Sequence, residues 1–123
     1  ADSAELVGKK VQLAAESKED TLSLAGSGLV EFPVALLKCG SLTKLDLTHN
    51  KVPTLPDGLG SACVLLKCLV LQNNALSTLP ESFSALEQLE VLDLSTNNFS
   101  VFPPALQQLP ALKELTMEGN DLV

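Results

Sequence analysis

One spacing of residues recurs along the chain and constrains its fold more than any other feature. Residues 89–99, with the sequence LEVLDLSTNNF, fit the pattern L-x-x-L-x-L-x-x-N-x-L, whose last position takes a large apolar residue. Three further copies fit this pattern, and an eroded copy precedes them. The second leucine of the copies falls 23 or 24 residues from the next, at Leu22, Leu45, Leu69, Leu92 and Leu115. A period of this length predicts a stack of similar units, each packed on its neighbours.

The charge of the chain excludes two classes of partner. The 123 residues carry a net charge of −7, with eight lysines and no arginine. Such a surface repels phosphate groups, so we expect the chain to bind neither nucleic acid nor an anionic membrane. No apolar run approaches the roughly 18 residues that span a bilayer. The cysteine count is odd, at three, which favours free thiols in a reducing compartment and therefore a cytoplasmic, intracellular location.

Residues 1–18 do not follow the repeat and are predicted to form a capping helix. Asp2 and Glu5 have the spacing of a capping box, in which each side chain accepts from an amide of the first helical turn. Val7, Val11 and Ala14 then fall on one face of the helix. An amphipathic helix of this kind could serve as a membrane-binding or partner-binding arm. We favour a cap, because the first unit of a stack would otherwise expose its leucines to water.

Each unit has two halves with different structures. The L-x-L segment alternates inward and outward residues, which predicts a short strand, and successive strands should lie parallel and side by side. The asparagine that follows can satisfy backbone groups left unpaired where the chain turns, so its role is structural. The four asparagines are Asn50, Asn74, Asn97 and Asn120, whereas Ser27 occupies the position in the first unit. A proline then leads into a short helical segment on the opposite, convex side.

These motifs resemble the leucine-rich repeat family. The apolar-proline pairs Phe32-Pro33, Leu55-Pro56, Leu79-Pro80 and Phe102-Pro103 recur at one phase, as in the intracellular class that includes Ras-binding scaffold proteins. The leader and the first unit are similar to small vertebrate leucine-rich-repeat-containing proteins. The resemblance implies an α/β solenoid with a curved parallel sheet on its concave face and an N-terminal capping helix. The expected units, the fifth of them incomplete, are 19–41, 42–65, 66–88, 89–111 and 112–123.

The resemblance also implies a non-catalytic module that binds another protein on the concave face, with no cofactor. The outward positions that flank the inward leucines define the predicted binding surface: Lys44, Asp46, Thr48, Cys68, Val70, Gln72, Val91, Asp93, Ser95, Glu114, Thr116 and Glu118. An apolar patch lies at its centre with acidic residues at its edge, which is the form expected of a docking site. The acidic edge favours a partner with a basic rim. The alternative explanation of the patch is that β-branched residues simply suit strands.

No arrangement of residues predicts catalysis or a metal site. His49 is the one histidine, and Asp46 is its only obvious partner. Asp46 and Asp93 are separated by about 9 to 10 Å at ordinary strand spacing, which would suit acid-base carboxylates. An open sheet does not exclude water, however, so we expect no enzyme activity. Cys63 and Cys68 lack the spacing and the further ligands of a zinc site.

The second functional hypothesis concerns the last unit. Only Val123 follows Leu122, so no further turn or helical segment covers Leu112, Leu115 and Met117. Terminal units of repeat arrays normally carry a polar cap. We therefore expect either that the natural chain continues or that two copies associate weakly through this edge. If the exposed edge is an interface, the chain is a structural or regulatory subunit of a larger assembly.

Overall fold

The computed structural model describes residues 3–17 and 20–122. It begins with helix α1 at Ser3–Ser17. Five strands follow, namely β1 (Thr21–Ser23), β2 (Lys44–Asp46), β3 (Cys68–Val70), β4 (Val91–Asp93) and β5 (Glu114–Thr116). The segments between them contain 3-10 helices at Val34–Lys38, Glu81–Ala85 and Pro104–Gln108, and one short α-helix, α2, at Leu59–Ala62. This arrangement is the predicted leucine-rich repeat solenoid.

The strands form one parallel sheet in chain order, β1-β2-β3-β4-β5. Its register pairs the second leucine of each unit with that of the next, from Leu22 through Leu45, Leu69 and Leu92 to Leu115. The residues that define the period in the sequence are therefore the residues that align in space. Each strand is only three residues long, because the chain turns away as soon as the inward leucine and its two neighbours have paired.

The core lies between this sheet and the helical segments. Leu45, Leu69 and Leu92 from the sheet are fully buried, as are Leu59 and Phe83 from the convex side. Leucine dominates because each unit must fill the same narrow layer, and burying each such side chain contributes roughly 1.5 to 3 kcal/mol.

Helix α1 covers the first unit, as predicted. Val7, Val11 and Ala14 are buried in the same core as the repeat leucines. The Cys39 thiol donates to the carbonyl oxygen of Val11 at 3.6 Å. The capping box predicted for Asp2 and Glu5 falls partly outside the described residues. Glu5 Oε1 lies 3.6 Å from Lys9 Nζ one turn on, an exposed ion pair.

The second unit is one residue longer than the third, and the structure shows where that residue goes. The convex segments of the first and third units close i to i+3 hydrogen bonds, such as Leu36 N to Pro33 O at 2.9 Å. In α2 the bonds run from i to i+4, with Ala62 N to Gly58 O and Cys63 N to Leu59 O both at 3.0 Å. An α-turn spans one residue more than a 3-10 turn. The insertion is absorbed on the convex side, and the strand register stays intact.

Candidate functional site

Eleven of the twelve predicted surface residues have part of their area accessible. Eight of the eleven lie on strands β2 to β5, and Thr48, Gln72 and Glu118 lie two residues after a strand ends. The register pairs Lys44 with Cys68, Cys68 with Val91, and Val91 with Glu114. Residues at the same outward position of successive units therefore line up in rows across the concave face. Ser95 is the exception, because it is only 7% exposed. The expectation that it offers surface is wrong. Ser95 lies in the turn after β4, where its N–H donates to Asp93 Oδ1 and its carbonyl oxygen accepts from Asn73 N of the preceding unit, both at 2.9 Å.

An apolar spot lies at the centre of this face. Cys68, Val70 and Val91 are half-buried and sit on the adjacent strands β3 and β4. They alternate along the strand with Leu69 and Leu92, which are fully buried on the other side of the sheet. Because side chains alternate between the two faces of a strand, these three residues cannot join the core.

Charged groups surround this spot closely enough to act on Cys68. Burial is the main reason that the pKa of the Cys68 thiol is raised. Lys44 lowers that pKa, while Asp46, Glu114 and Asp93 raise it. Three acidic groups and one basic group thus border the apolar spot, and the local charge is negative.

Two of these acids are held in fixed positions by the turn that follows each strand. Asp46 Oδ1 accepts a hydrogen bond from Thr48 N, and Asp93 Oδ1 accepts one from Ser95 N, both at 2.9 Å. The hydroxyl of Thr48 also donates to Asp46. The strand pattern did not predict this arrangement, although the sequence carries its signal, an Asp followed two residues later by Ser or Thr. The bond restrains each carboxylate at the surface.

The asparagines form a ladder beneath the rim of this face, which confirms their structural role. Asn97 Oδ1 accepts from Leu76 N, and its Nδ2 donates to the carbonyls of Leu71 and Leu94, all at 3.0 Å. Asn50, Asn74 and Asn120 make equivalent bonds. Each carboxamide therefore joins its own unit to the unit before it.

The direction of these bonds explains why the first unit can have serine at the ladder position. An asparagine there would reach back toward a preceding repeat, and α1 occupies that side instead. The first turn is held from the next unit, because Asn50 Oδ1 accepts from Ser27 N at 3.1 Å and from Leu29 N at 2.9 Å. The turn is ordered despite the departure from the pattern.

The residue before each ladder position has left-handed backbone geometry. The φ angles are 63° at Gly26, 58° at His49, 60° at Asn73, 55° at Thr96 and 74° at Gly119. His49 thus sits in a turn, where its Nδ1 lies 2.7 Å from Asn73 Nδ2. Glycine and asparagine tolerate this geometry, whereas a β-branched residue such as Thr96 is strained in it.

The other two cysteines lie on the convex side. Cys39 and Cys63 are buried, and all three thiols are free. Burial raises the pKa of Cys63 to about 11, with a smaller contribution from Cys39. Its thiol donates to the carbonyl oxygen of Leu36 at 3.7 Å. Within residues 3–17 and 20–122, no group of three or more His, Cys, Asp and Glu could hold a metal ion. Over the same residues, no helix has the length and apolar character needed to cross a bilayer.

The geometry and the sequence agree with one family. The family model described as leucine rich repeat matches residues 40–99 and again 65–122. The chain belongs to the leucine-rich repeat family. It is 38% identical over 109 residues to leucine-rich repeat serine/threonine-protein kinase 1 of Mus musculus, covering 86% of this chain and 5% of the kinase. Over 94 residues it is 37% identical to podocan-like protein 1 of Mus musculus, covering 73% of this chain and 16% of that protein.

Solved leucine-rich repeat structures have the same fold. A repeat protein of Leptospira interrogans superposes with a TM-score of 0.77 at 32% identity, over 83% of this chain and 26% of the other. The BIR3–SERK2 complex of Arabidopsis thaliana gives a TM-score of 0.69 at 33% identity, over 82% of this chain and 56% of the other. The repeat chain spans only 5% to 16% of the length of the two mouse relatives above. Their activities belong to the whole proteins.

Proposed function

We propose that the chain is a non-catalytic adaptor module that binds a protein partner on its concave face. The observation that carries this proposal is the apolar spot formed by Cys68, Val70 and Val91. These side chains are half-buried on the outer side of the sheet, where the core of the chain cannot receive them. Apolar side chains collected on an open face and surrounded by charge are typical of a docking site.

The family supports the general role. Leucine-rich repeats serve as interaction scaffolds, and the BIR3–SERK2 structure is a complex of two proteins. Relatives such as the kinase of Mus musculus carry a catalytic name, but the chain matches only 5% of that protein's length. We assign the interaction role, and no reaction, to the repeat region.

The charges of the face define the expected partner. Asp46, Asp93 and Glu114 surround the spot, and Lys44 lies beside Cys68 on the neighbouring strand. A partner with a basic rim complements this pattern, and its association should weaken as salt rises because exposed charges are screened. The chain has no Trp, Tyr or Arg, the residues that dominate most strong interfaces. The affinity should therefore be modest unless the partner supplies such residues.

A cytoplasmic location is part of the proposal. The three cysteines are free, and two of them are buried one repeat apart without bonding to each other. Thiols persist in this form in a reducing compartment.

The proposal is tested by capture of binding proteins from cytosol with three variants. Val70→Glu places a charge in the apolar spot, and Asp93→Lys reverses one acidic neighbour. Glu87→Lys is the matched control, because Glu87 is exposed beside the convex 3-10 helix Glu81–Ala85. We expect all three proteins to fold, as circular dichroism would show, and only the first two to lose captured partners. Retained capture by both, with loss in Glu87→Lys, would place the partner on the convex side.

The last strand favours a second candidate function, in which the C-terminal edge is an interface within an assembly. Leu115 in β5 is only partly buried, whereas Leu92 in β4 is fully buried. Leu122 is 42% exposed. Association through this edge predicts a concentration-dependent dimer in sedimentation that Leu115→Lys abolishes. A monomer at every concentration would remove this candidate.

A further inference from the structure

The middle row of the concave face alternates acidic and apolar residues. The register places Asp46 beside Val70, and Val70 beside Asp93, on three successive strands. Neighbouring strands are about 4.8 Å apart, so the two aspartates are separated by about 10 Å with the valine midway between them. We name Asp46, Val70 and Asp93 the central row.

The two carboxylates of the row are preorganised. Each holds its Oδ1 against the backbone N–H of the residue two positions later, at 2.9 Å. Both side chains remain partly accessible. Restraining a group before binding reduces the conformational entropy that is lost when the partner binds. The row therefore offers two negative groups at a defined separation.

The separation discriminates between the conformations that a partner segment can adopt across the strands. A helix rises 1.5 Å per residue, so side chains at i and i+7 are about 10.5 Å apart, with i+3 and i+4 about 5 to 6 Å along the same face. An extended strand repeats its face every 6.6 to 6.8 Å, which fits neither distance. Polyproline II repeats its face about every 9.3 Å and has no side chain at half that distance. The helix is the conformation that matches both the acids and the valine.

We propose that the central row binds an amphipathic helix of the partner, laid across the strands, with Lys or Arg at i and i+7 and an aliphatic residue at i+3 or i+4. This inference rests on the proposed function, because it takes the concave face as the binding surface. The basic residues reach Asp46 and Asp93, and the aliphatic residue covers Val70. The neighbouring Cys68 and Val91 extend the apolar contact.

The flanking charges give the bound helix a direction. Glu114 and Glu118 lie on β5 and just after it, one strand beyond Asp93, and both are exposed. That position is about 15 Å from Asp46, which corresponds to i+10 or i+11 of the helix. Lys44 lies on β2 two residues before Asp46 and partly offsets the negative charge at that end of the row. The basic residues of the partner should therefore become denser toward β5.

Three synthetic peptides test the spacing, and the first two have equal composition. The first carries Lys at i and i+7 with Leu at i+3 and i+4, in an otherwise Ala- and Gln-rich helix. The second moves one Lys to i+5, which turns it to another face. In the third, proline within the segment prevents the helix. Fluorescence anisotropy should show the first peptide binding about tenfold more tightly than the other two, since both charge contacts require the same face.

Asp93→Asn provides a matched test on the protein side. It removes the charge but keeps an oxygen that can accept from Ser95 N. We expect the affinity for the first peptide to fall roughly three- to tenfold, and Glu87→Lys to leave it unchanged. Replacing the Lys at i+7 by Glu should weaken binding to the wild type and partly recover it with Asp93→Lys. Equal binding of the three peptides, absence of binding by the first, or an unchanged affinity in Asp93→Asn would overturn the inference.

A peptide-display selection separates this inference from the proposed function. Binders are selected on the wild-type chain and then tested on Val70→Glu. Enriched sequences with basic residues at i and i+7 that fail on Val70→Glu support both statements. Enriched sequences that fail on Val70→Glu without that spacing keep the concave site and overturn the helix. Sequences that bind Val70→Glu normally and fail on Glu87→Lys overturn both.

Discussion

The concave and convex sides of this solenoid are built from the same repeat but follow different rules. On the concave side every strand has three residues and every unit keeps the same register. On the convex side three units have 3-10 helices and the second has the α-helical turn α2. The difference follows from where the hydrogen bonds go. Strands bond to neighbouring units, whereas each convex segment bonds mainly within itself.

Local bonding therefore decides where the chain tolerates change. An added residue in a strand would turn the later side chains of that strand to the wrong face of the sheet. An added residue in a convex segment only converts one helical turn into another, as Gly58, Leu59 and Ala62 show. Three predictions test this contrast, in order of decreasing effect.

The largest effect is expected in the asparagine ladder of the concave rim. Asn97→Ala removes a carboxamide whose Oδ1 accepts from Leu76 N and whose Nδ2 donates to the carbonyls of Leu71 and Leu94. Each buried polar group left unpaired costs roughly 1 to 3 kcal/mol, so the free energy of unfolding should fall by about 3 to 5 kcal/mol in urea. Asn98→Ala is the control, because Asn98 is exposed, and it should change stability by less than about 0.5 kcal/mol. Similar losses in both variants would contradict the ladder as the main tie between units.

The convex side should not tolerate a larger side chain at Gly60, where two units approach closely. A Cβ at Gly60 would lie 1.7 Å from the carbonyl oxygen of Ser82, which is backbone and cannot rotate away. Gly60→Ala should therefore cost about 2 to 3 kcal/mol, the upper range for overpacking. Gly58→Ala is the matched control, since its Cβ would lie at an ordinary 3.6 Å from Leu37 Cδ1. If thermal denaturation finds both variants near wild type, the convex segments move more freely than the contact implies.

The smallest effect concerns the turns where the two sides meet. Thr96 adopts a φ of 55°, which costs a residue with a side chain roughly 1 to 2 kcal/mol. Thr96→Gly removes this strain but makes the unfolded chain more flexible, so we expect a net gain of about 0.5 to 1 kcal/mol. The same change at Thr78, which is exposed and lacks a positive φ, should instead reduce stability. Loss of stability in Thr96→Gly would show that the threonine side chain contributes more than its backbone costs.

Most of the fold could be predicted from the sequence because the repeat supplies the same evidence several times. The inward leucines, the parallel order and the capping face of α1 all follow from periodicity and the separation of apolar and polar residues. The α-helical form of α2 could not be predicted. The extra residue near Ser61 shows that the second unit must bulge, but the bulge could have been a loop, a 3-10 helix or an α-turn. Packing of Gly60 against Ser82 accompanies the α-turn, and that contact is not visible in the sequence.

The candidate site was predictable in outline and less so in detail. Alternation along the strands was enough to assign Cys68, Val70 and Val91 to the outer side of the sheet. It could not show that Ser95 is buried, because burial at a strand end depends on the turns of neighbouring units. The restraint of Asp46 and Asp93 was also missed, since it depends on the direction that the backbone takes after the strand.

The backward reach of the asparagines makes the array directional. Because the carboxamide of each unit completes the turn of the unit before it, a copied unit inserted after β5 would bring the group that its predecessor needs. A copy placed ahead of β1 would instead separate α1 from the surface that it covers and would meet Ser27, which cannot reach back as Asn50 does. Duplication of coding segments can therefore lengthen such a chain gradually at its C-terminal side. Growth at the N-terminal side would require a new capping helix.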